Sequence, residues 1–144
     1  MWRDRITRWI DEIDLGEPAS EFDIRSAEDR LGHPLPGNLR ELLTEFNGLA
    51  DAYGTDIVWS VQQIAESNLE FRSNQSFVEL YAPFDSLLFF GDNGAGDQFA
   101  FNCDSADGHV LVWDHETDDR SVVAKSLEAY VVRTLESDGE DWYR

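Results

Sequence analysis

The seven residues Gly91-Asp92-Asn93-Gly94-Ala95-Gly96-Asp97 are the first place in this chain to look for chemistry. A glycine-rich loop cradles a phosphate on its backbone N–H groups when it leads into a helix whose N-terminus completes the site. Here the loop lies between two β-prone runs, two aspartates flank it and no lysine stands in it. The expectation is a connection between strands, with glycines supplying positive φ, and no nucleotide site. Cys103, His109 and His115, with Asp104, Asp107 and Asp114 nearby, are ligand types that zinc uses. Their spacing matches no zinc pattern, and the two histidines bracket a predicted strand. The run from Cys103 to Gly108 puts Cys and Ser where a calcium loop needs oxygen ligands from acidic or amide side chains. No metal and no cofactor is expected.

Nucleophilic catalysis finds no support either. There is no Gly-x-Ser-x-Gly, and Cys103 adjoins Asp104, whose negative charge raises a thiol pKa. With thirty Asp and Glu in 144 residues, close carboxylate pairs arise by chance and define no acid–base dyad. The chain is therefore read as not an enzyme. Two acidic groupings remain, Asp114 to Asp119 and Glu136 to Asp141, each with four acids in six residues. Such runs are ordinarily solvated turns and tails. The competing reading is an anionic docking surface for a basic protein partner, where electrostatics supplies association rate and specificity. The first grouping is the sharper because Trp113 and His115 interleave with it. Trp113 is equally consistent with a core position, since strand alternation sets Val110 and Val112 on one face and Leu111 and Trp113 on the other.

The elements that must position these residues are read from periodicity. Trp2, Ile6, Trp9, Ile10 and Ile13 fall on one helical face, which predicts a first helix ending before Gly16 to Pro18. Ser20 with Asp23 nearly matches a capping box for a second helix carrying Ile24, Ala27 and Leu31 and ending at Gly32. Pro36 opens a third, with Leu39, Leu42, Leu43 and Phe46, that stops at Asn47-Gly48. After a β-prone Ile57 to Trp59, Ser60 and Gln63 cap a helix with Ile64 and Leu69, and Arg72 to Ser76 reads as a loop. Four strands follow, Leu87 to Phe90, Gln98 to Phe101, Val110 to Trp113 and Ser121 to Ala124, on connections short enough to favour antiparallel pairing. Ser126 caps a closing helix with Leu127, Tyr130, Val131 and Leu135, and residues 137–144 are expected to fray. This predicts an α+β fold, mainly an antiparallel sheet meander with N-terminal helices and a closing C-terminal helix, in a single domain over residues 1–144.

Composition narrows the partners. Eleven Lys and Arg against the thirty acids leave a net charge of −19, so nucleic acid and anionic lipid would be repelled. Hydrophobic residues at 42% nonetheless exclude a disordered acidic tail. The single cysteine allows no intramolecular disulfide, no apolar run approaches the ~20 residues of a membrane span, and residues 1–14 lack a signal-peptide core. A cytoplasmic protein with a protein partner is the expectation.

The order of several motifs carries a resemblance. Leu31-Gly32-His33-Pro34-Leu35-Pro36 leads into the helix that ends Phe46-Asn47-Gly48. Ile57-Val58-Trp59 follows, then Leu88-Phe89-Phe90-Gly91-Asp92-Asn93-Gly94-Ala95-Gly96-Asp97-Gln98-Phe99, Val112-Trp113-Asp114 and Ser126-Leu127-Glu128-Ala129-Tyr130. Over about residues 20 to 136 this resembles the SUKH superfamily, the SMI/KNR cell-wall-assembly regulator type of domain. The resemblance implies a binding role, best known as an immunity protein that neutralises a cognate bacterial toxin, frequently a nuclease, with regulatory scaffolds as the alternative. Small-molecule binding ranks below both. Leu35, Pro36, Asn47, Gly48, Gly91, Gly94, Gly96 and Asp97 match family positions read as shape-determining. The candidate partner surface is Trp59, Asp92, Asp97, Asp114, Glu116, Asp118 and Asp119, chosen from this chain alone and aimed at a basic toxin domain.

Overall fold

The computed structural model describes residues 1–105 and 107–143. Ala106, in the run tested as a calcium loop, and Arg144, the last residue of the tail expected to fray, lie outside the described residues. In chain order the elements are α1 (Trp2–Arg5), a 3₁₀ turn (Thr7–Trp9), β1 (Asp14–Leu15), α2 (Glu21–Leu31), α3 (Gly37–Glu45), β2 (Leu49–Ala50), β3 (Asp56–Val58), α4 (Val61–Ser73), α5 (Gln75–Leu80), β4 (Leu87–Asp92), β5 (Gln98–Asn102), β6 (Val110–Trp113), β7 (Arg120–Ala124) and α6 (Leu127–Glu136). The fold is α+β. Helices lead, β4-β5-β6-β7 form an antiparallel meander, and α6 closes the chain.

Local signals place the helices. Ser20 Oγ accepts the Asp23 N–H at 3.0 Å while the Asp23 carboxylate accepts the Ser20 N–H at 3.4 Å, so both arms of the capping box start α2. Gly32 ends α2 in the left-handed region at φ 70°. Ser60 and Ser126 cap α4 and α6 through the serine arm alone, their side chains accepting the Gln63 and Ala129 N–H. Leu39, Leu42 and Leu43 turn the buried stripe of α3 into the core.

Three expectations are corrected. The stripe from Trp2 to Ile13 is not one helix: it breaks after Arg5 into the 3₁₀ turn, leaving Trp2 and Ile6 buried. β-Branched Ile6, Thr7 and Ile10 weaken helical continuity there. Arg72 to Ser76 is not a loop. α4 runs through Ser73, and Asn74 Oδ1 accepts the Ser76 N–H at 2.9 Å, capping α5. The tail does not fray as far as it is described, since Trp142 and Tyr143 are partly buried against the core. Trp142 Nε1–H donates to Thr134 Oγ1 at 3.0 Å, and the Arg133 guanidinium lies 4.7 Å from its ring centroid.

A second, three-stranded antiparallel sheet, β1-β2-β3, was not anticipated beyond its last strand. Two contacts tie it to the meander. The Trp59 N–H donates to the Phe90 carbonyl at 2.7 Å, and Tyr130 of α6, fully buried, donates its hydroxyl to the Ile57 carbonyl at 2.8 Å. Gly91 of β4 permits this approach, because a Cβ there would stand 2.1 Å from the Ile57 oxygen. Across the meander's other neighbour, Asn68 of α4 is 1% exposed and grips β4. Its Nδ2 donates to the Ile64 and Phe89 carbonyls at 2.7 and 2.8 Å, and its Oδ1 accepts the Phe89 N–H at 2.8 Å. Among the described residues no helix is long and apolar enough to cross a membrane.

Candidate functional site

The loop between β4 and β5 uses its own donors. Asp92 Oδ1 accepts the Gly94 N–H at 2.7 Å, and Asn93 Oδ1 accepts those of Ala95 and Asp97 at 2.8 and 3.1 Å. Gly94 and Gly96 sit at φ 80° and 110°. With these amides already bonded inside the loop, they do not face a phosphate as a cradle would require.

Asp97 is not on the surface, a correction to its place among the partner-facing residues. It is 2% exposed, and its Oδ1 accepts the His115 ring Nδ1–H at 2.8 Å and the His115 backbone N–H at 3.3 Å. The pair fastens the β4–β5 loop to the turn after β6. Asp97, Asp114 and His115 bring one potential ligand atom each within 4.8 Å of one another. The Asp97 carboxylate already receives these two donors and a longer one from Asn93 Nδ2 at 3.4 Å, which gives the grouping a structural explanation. Excess chelator is therefore expected to leave the melting temperature unchanged. Zinc near one per chain after purification, or a chelator-induced drop of several degrees, would overturn this. His109 instead faces Asp107, with Nδ1 3.3 Å from Oδ2. The Cys103 thiol pKa is pushed up mainly by burial, with Asp104 adding to the effect and Arg72 opposing it.

The turn from Asp114 to Asp119 divides its acids between structure and solvent. Asp118, at φ 64°, accepts from Trp113 Nε1 at 2.8 Å, Arg120 Nη2 at 3.0 Å and the Ala82 N–H at 2.9 Å. Burial pushes its carboxyl pKa up, but the bonds from Ala82, Trp113 and Arg120 outweigh that and hold it below the usual carboxylate range. Asp114 Oδ1 accepts the Glu116 N–H at 2.9 Å, while Glu116 and Asp119 are exposed. Trp113 belongs to the core, edge-on to Tyr81 and Phe84 with ring centroids 5.1 and 5.2 Å away.

Trp59 and Asp92 meet elsewhere. Trp59 is 4% exposed and its Nε1–H donates to Asp92 Oδ2 at 2.7 Å. The two residues line a groove of 570 Å³ with Asp56, Glu66, Glu70 and Phe71. A neighbouring hollow of 450 Å³ shares Asp56 and Trp59 and adds Asp14. No Lys, Arg or His lines either one, and none of these acids takes part in an ion pair among the described residues. Burial raises the Asp56 carboxyl pKa, and the charges of Asp92 and Asp51 raise it further.

Sequence reasoning missed Asp56, Glu66 and Glu70, although a signal was available. Residues 41–119 contain sixteen Asp and Glu and a single Lys or Arg, Arg72, whose Nη2 donates to the Leu87 carbonyl at 3.0 Å. The other ten Lys and Arg lie toward the two ends of the chain. Of the positions read as shape-determining, Leu35 is buried, and Pro36 stands as the N-cap of α3. Asn47 Oδ1 accepts the Val61 N–H at 2.7 Å at the start of α4, and Gly48 takes φ 108°.

The fold thus combines leading helices, an antiparallel meander and a closing helix, with an acidic and aromatic groove beside α4. Residues 21–131 match the family model SUKH_6, described as SMI1-KNR4 cell-wall, and the chain belongs to this family of the SUKH superfamily, which is generally non-catalytic. No curated protein matches the chain.

Proposed function

We propose that this protein is a non-catalytic immunity protein, neutralising a cognate bacterial toxin domain whose surface is basic. The observation that carries the reading is the charge segregation along the chain, sixteen Asp and Glu to one Lys or Arg over residues 41–119, within a fold of an interaction family. A nuclease surface that holds phosphates is basic, and an acidic protein that occupies it excludes the substrate. Attraction between such faces accelerates encounter, and salt slows association more than it speeds dissociation.

The test is functional. A neighbouring gene for a large protein with a variable, basic C-terminal domain supplies the candidate toxin. Co-expression of this protein is expected to restore growth to cells making that domain. Failure to protect, with no complex formed by the purified pair, would overturn the proposal, and a housekeeping gene neighbourhood would favour the regulatory scaffold instead.

A further inference from the structure

We infer that the partner docks in the groove between α4 and the β3–β4 region, and that the groove receives a basic protein segment presenting Arg or Lys side chains. The inference deepens the proposed function and rests on it for the partner's class.

The groove is a place where the fold tolerates repulsion it could avoid. Gln63, Glu66, Ser67 and Glu70 recur at helical spacing, so one face of α4 borders the groove. Glu66 and Glu70 are an i,i+4 pair of like charge, an arrangement that destabilises a helix. Across the groove Asp56 and Asp92 line the same hollow, and burial together with the Asp92 charge opposes ionisation of Asp56. Among the described residues no basic side chain lines the groove to relieve either pair. A cation from a partner would relieve both at once.

The lining also suits a guanidinium or ammonium group. The half-buried Phe71 and Phe77 offer aromatic surface beside the carboxylates, while Trp59, buried at the groove floor and so not the exposed contact expected of it, holds Asp92 in place. Arginine combines stacking on such surface with five N–H donors. This chain already uses that chemistry where it has arginines to spare, with Arg120 4.7 Å from the Phe84 ring centroid. Gln98 adds a further acceptor: it lines the groove, and its Oε1 is buried with no hydrogen-bond partner among the described residues. The turn after β6 is a poorer host, because Asp118 is held by its own neighbours and Asp97 lies beneath the surface. Continuity with the hollow lined by Asp14 makes room for a chain segment longer than one side chain.

The probe is a ten-residue peptide of alternating arginine and glycine, titrated into the full-length protein at low salt while the indole N–H resonances of its five tryptophans are followed. The Trp59 signal is expected to move most, since its proton is shared with Asp92 at the groove. Glu66→Gln combined with Glu70→Gln is expected to weaken peptide binding about fivefold, whereas Glu140→Gln with Asp141→Asn, an equal change in charge, shifts it less than twofold. Both glutamates are exposed, and removing their mutual repulsion leaves the fold in place. Equal weakening by the two pairs, or a largest shift at another tryptophan, would overturn the groove assignment and leave only diffuse attraction. If protection in co-expression survives the groove substitutions, the docking site falls while the immunity reading stands. If the peptide docks at Trp59 but no toxin is neutralised, the immunity reading falls and the groove stands.

Discussion

Asn68→Leu is expected to destabilise the protein by about 2–5 kcal/mol, a large part of the 5–15 kcal/mol that holds an ordinary domain folded. Leucine is close to asparagine in size, so the loss is one of hydrogen bonding. Asn68 is the partner of both the N–H and the C=O of Phe89, at 2.8 Å each, in a position 1% exposed. Without the amide, two backbone groups of β4 facing α4 lose these partners where water has little access. Each unsatisfied group costs about 1–3 kcal/mol. Urea unfolding measures the difference. A loss under 1 kcal/mol with an unchanged m-value would show that another group takes over the bonds.

Gly91→Ala is expected to cost about 3 kcal/mol or more, because one methyl group has to displace backbone. The added carbon would lie 2.1 Å from the Ile57 oxygen, 3.0 Å from its carbonyl carbon and 3.2 Å from the Tyr130 hydroxyl. Neither a rotamer change nor a shift of one side chain relieves that, so β3 must move off β4 and strain the Tyr130 bond. Gly37→Ala is the matched control. Its new carbon would meet nothing within 4 Å, and alanine favours the first turn of α3, so stability there is expected to hold or rise by up to about 1 kcal/mol. Equal effects at the two glycines would remove the close-approach account of Gly91.

What was legible in the sequence was what repeats or caps. The Ser20–Asp23 box, the Gly32 stop, the four strands and the Ser126 cap each depend on neighbours a few residues away, and each stands where periodicity put it. β1 and β2 are two residues long, too short to show alternation, and exist because β2 pairs with both β3 and β1. The Trp2 to Ile13 stripe misled because apolar spacing records which residues face the core and does not reveal the change to a 3₁₀ turn after Arg5. The candidate site was half legible. Trp59 and Asp92 were named and do meet, but Asp97 was placed at the surface because nothing local announces its bond to His115, eighteen residues away. Asp56, Glu66 and Glu70 escaped notice because attention to dense acidic runs overlooks a long interval that merely lacks bases.

The bond from Tyr130 to the Ile57 carbonyl spans 73 positions of sequence. Contacts between distant positions carry a loop-closure cost before they return any stabilisation, and chains rich in them fold slowly. During synthesis the ribosome releases β3 long before α6, so a nascent chain ending short of residue 130 has the Ile57 carbonyl but lacks the phenol that completes its seat. The Trp59 tie to the Phe90 carbonyl can form once β4 has emerged, whereas the Tyr130 tie is completed only when nearly the whole chain has emerged. Truncation at residue 125 should leave the Trp59–Phe90 bond in place but the Ile57 carbonyl without its phenol, so the two sheets are expected to dock loosely until α6 is supplied.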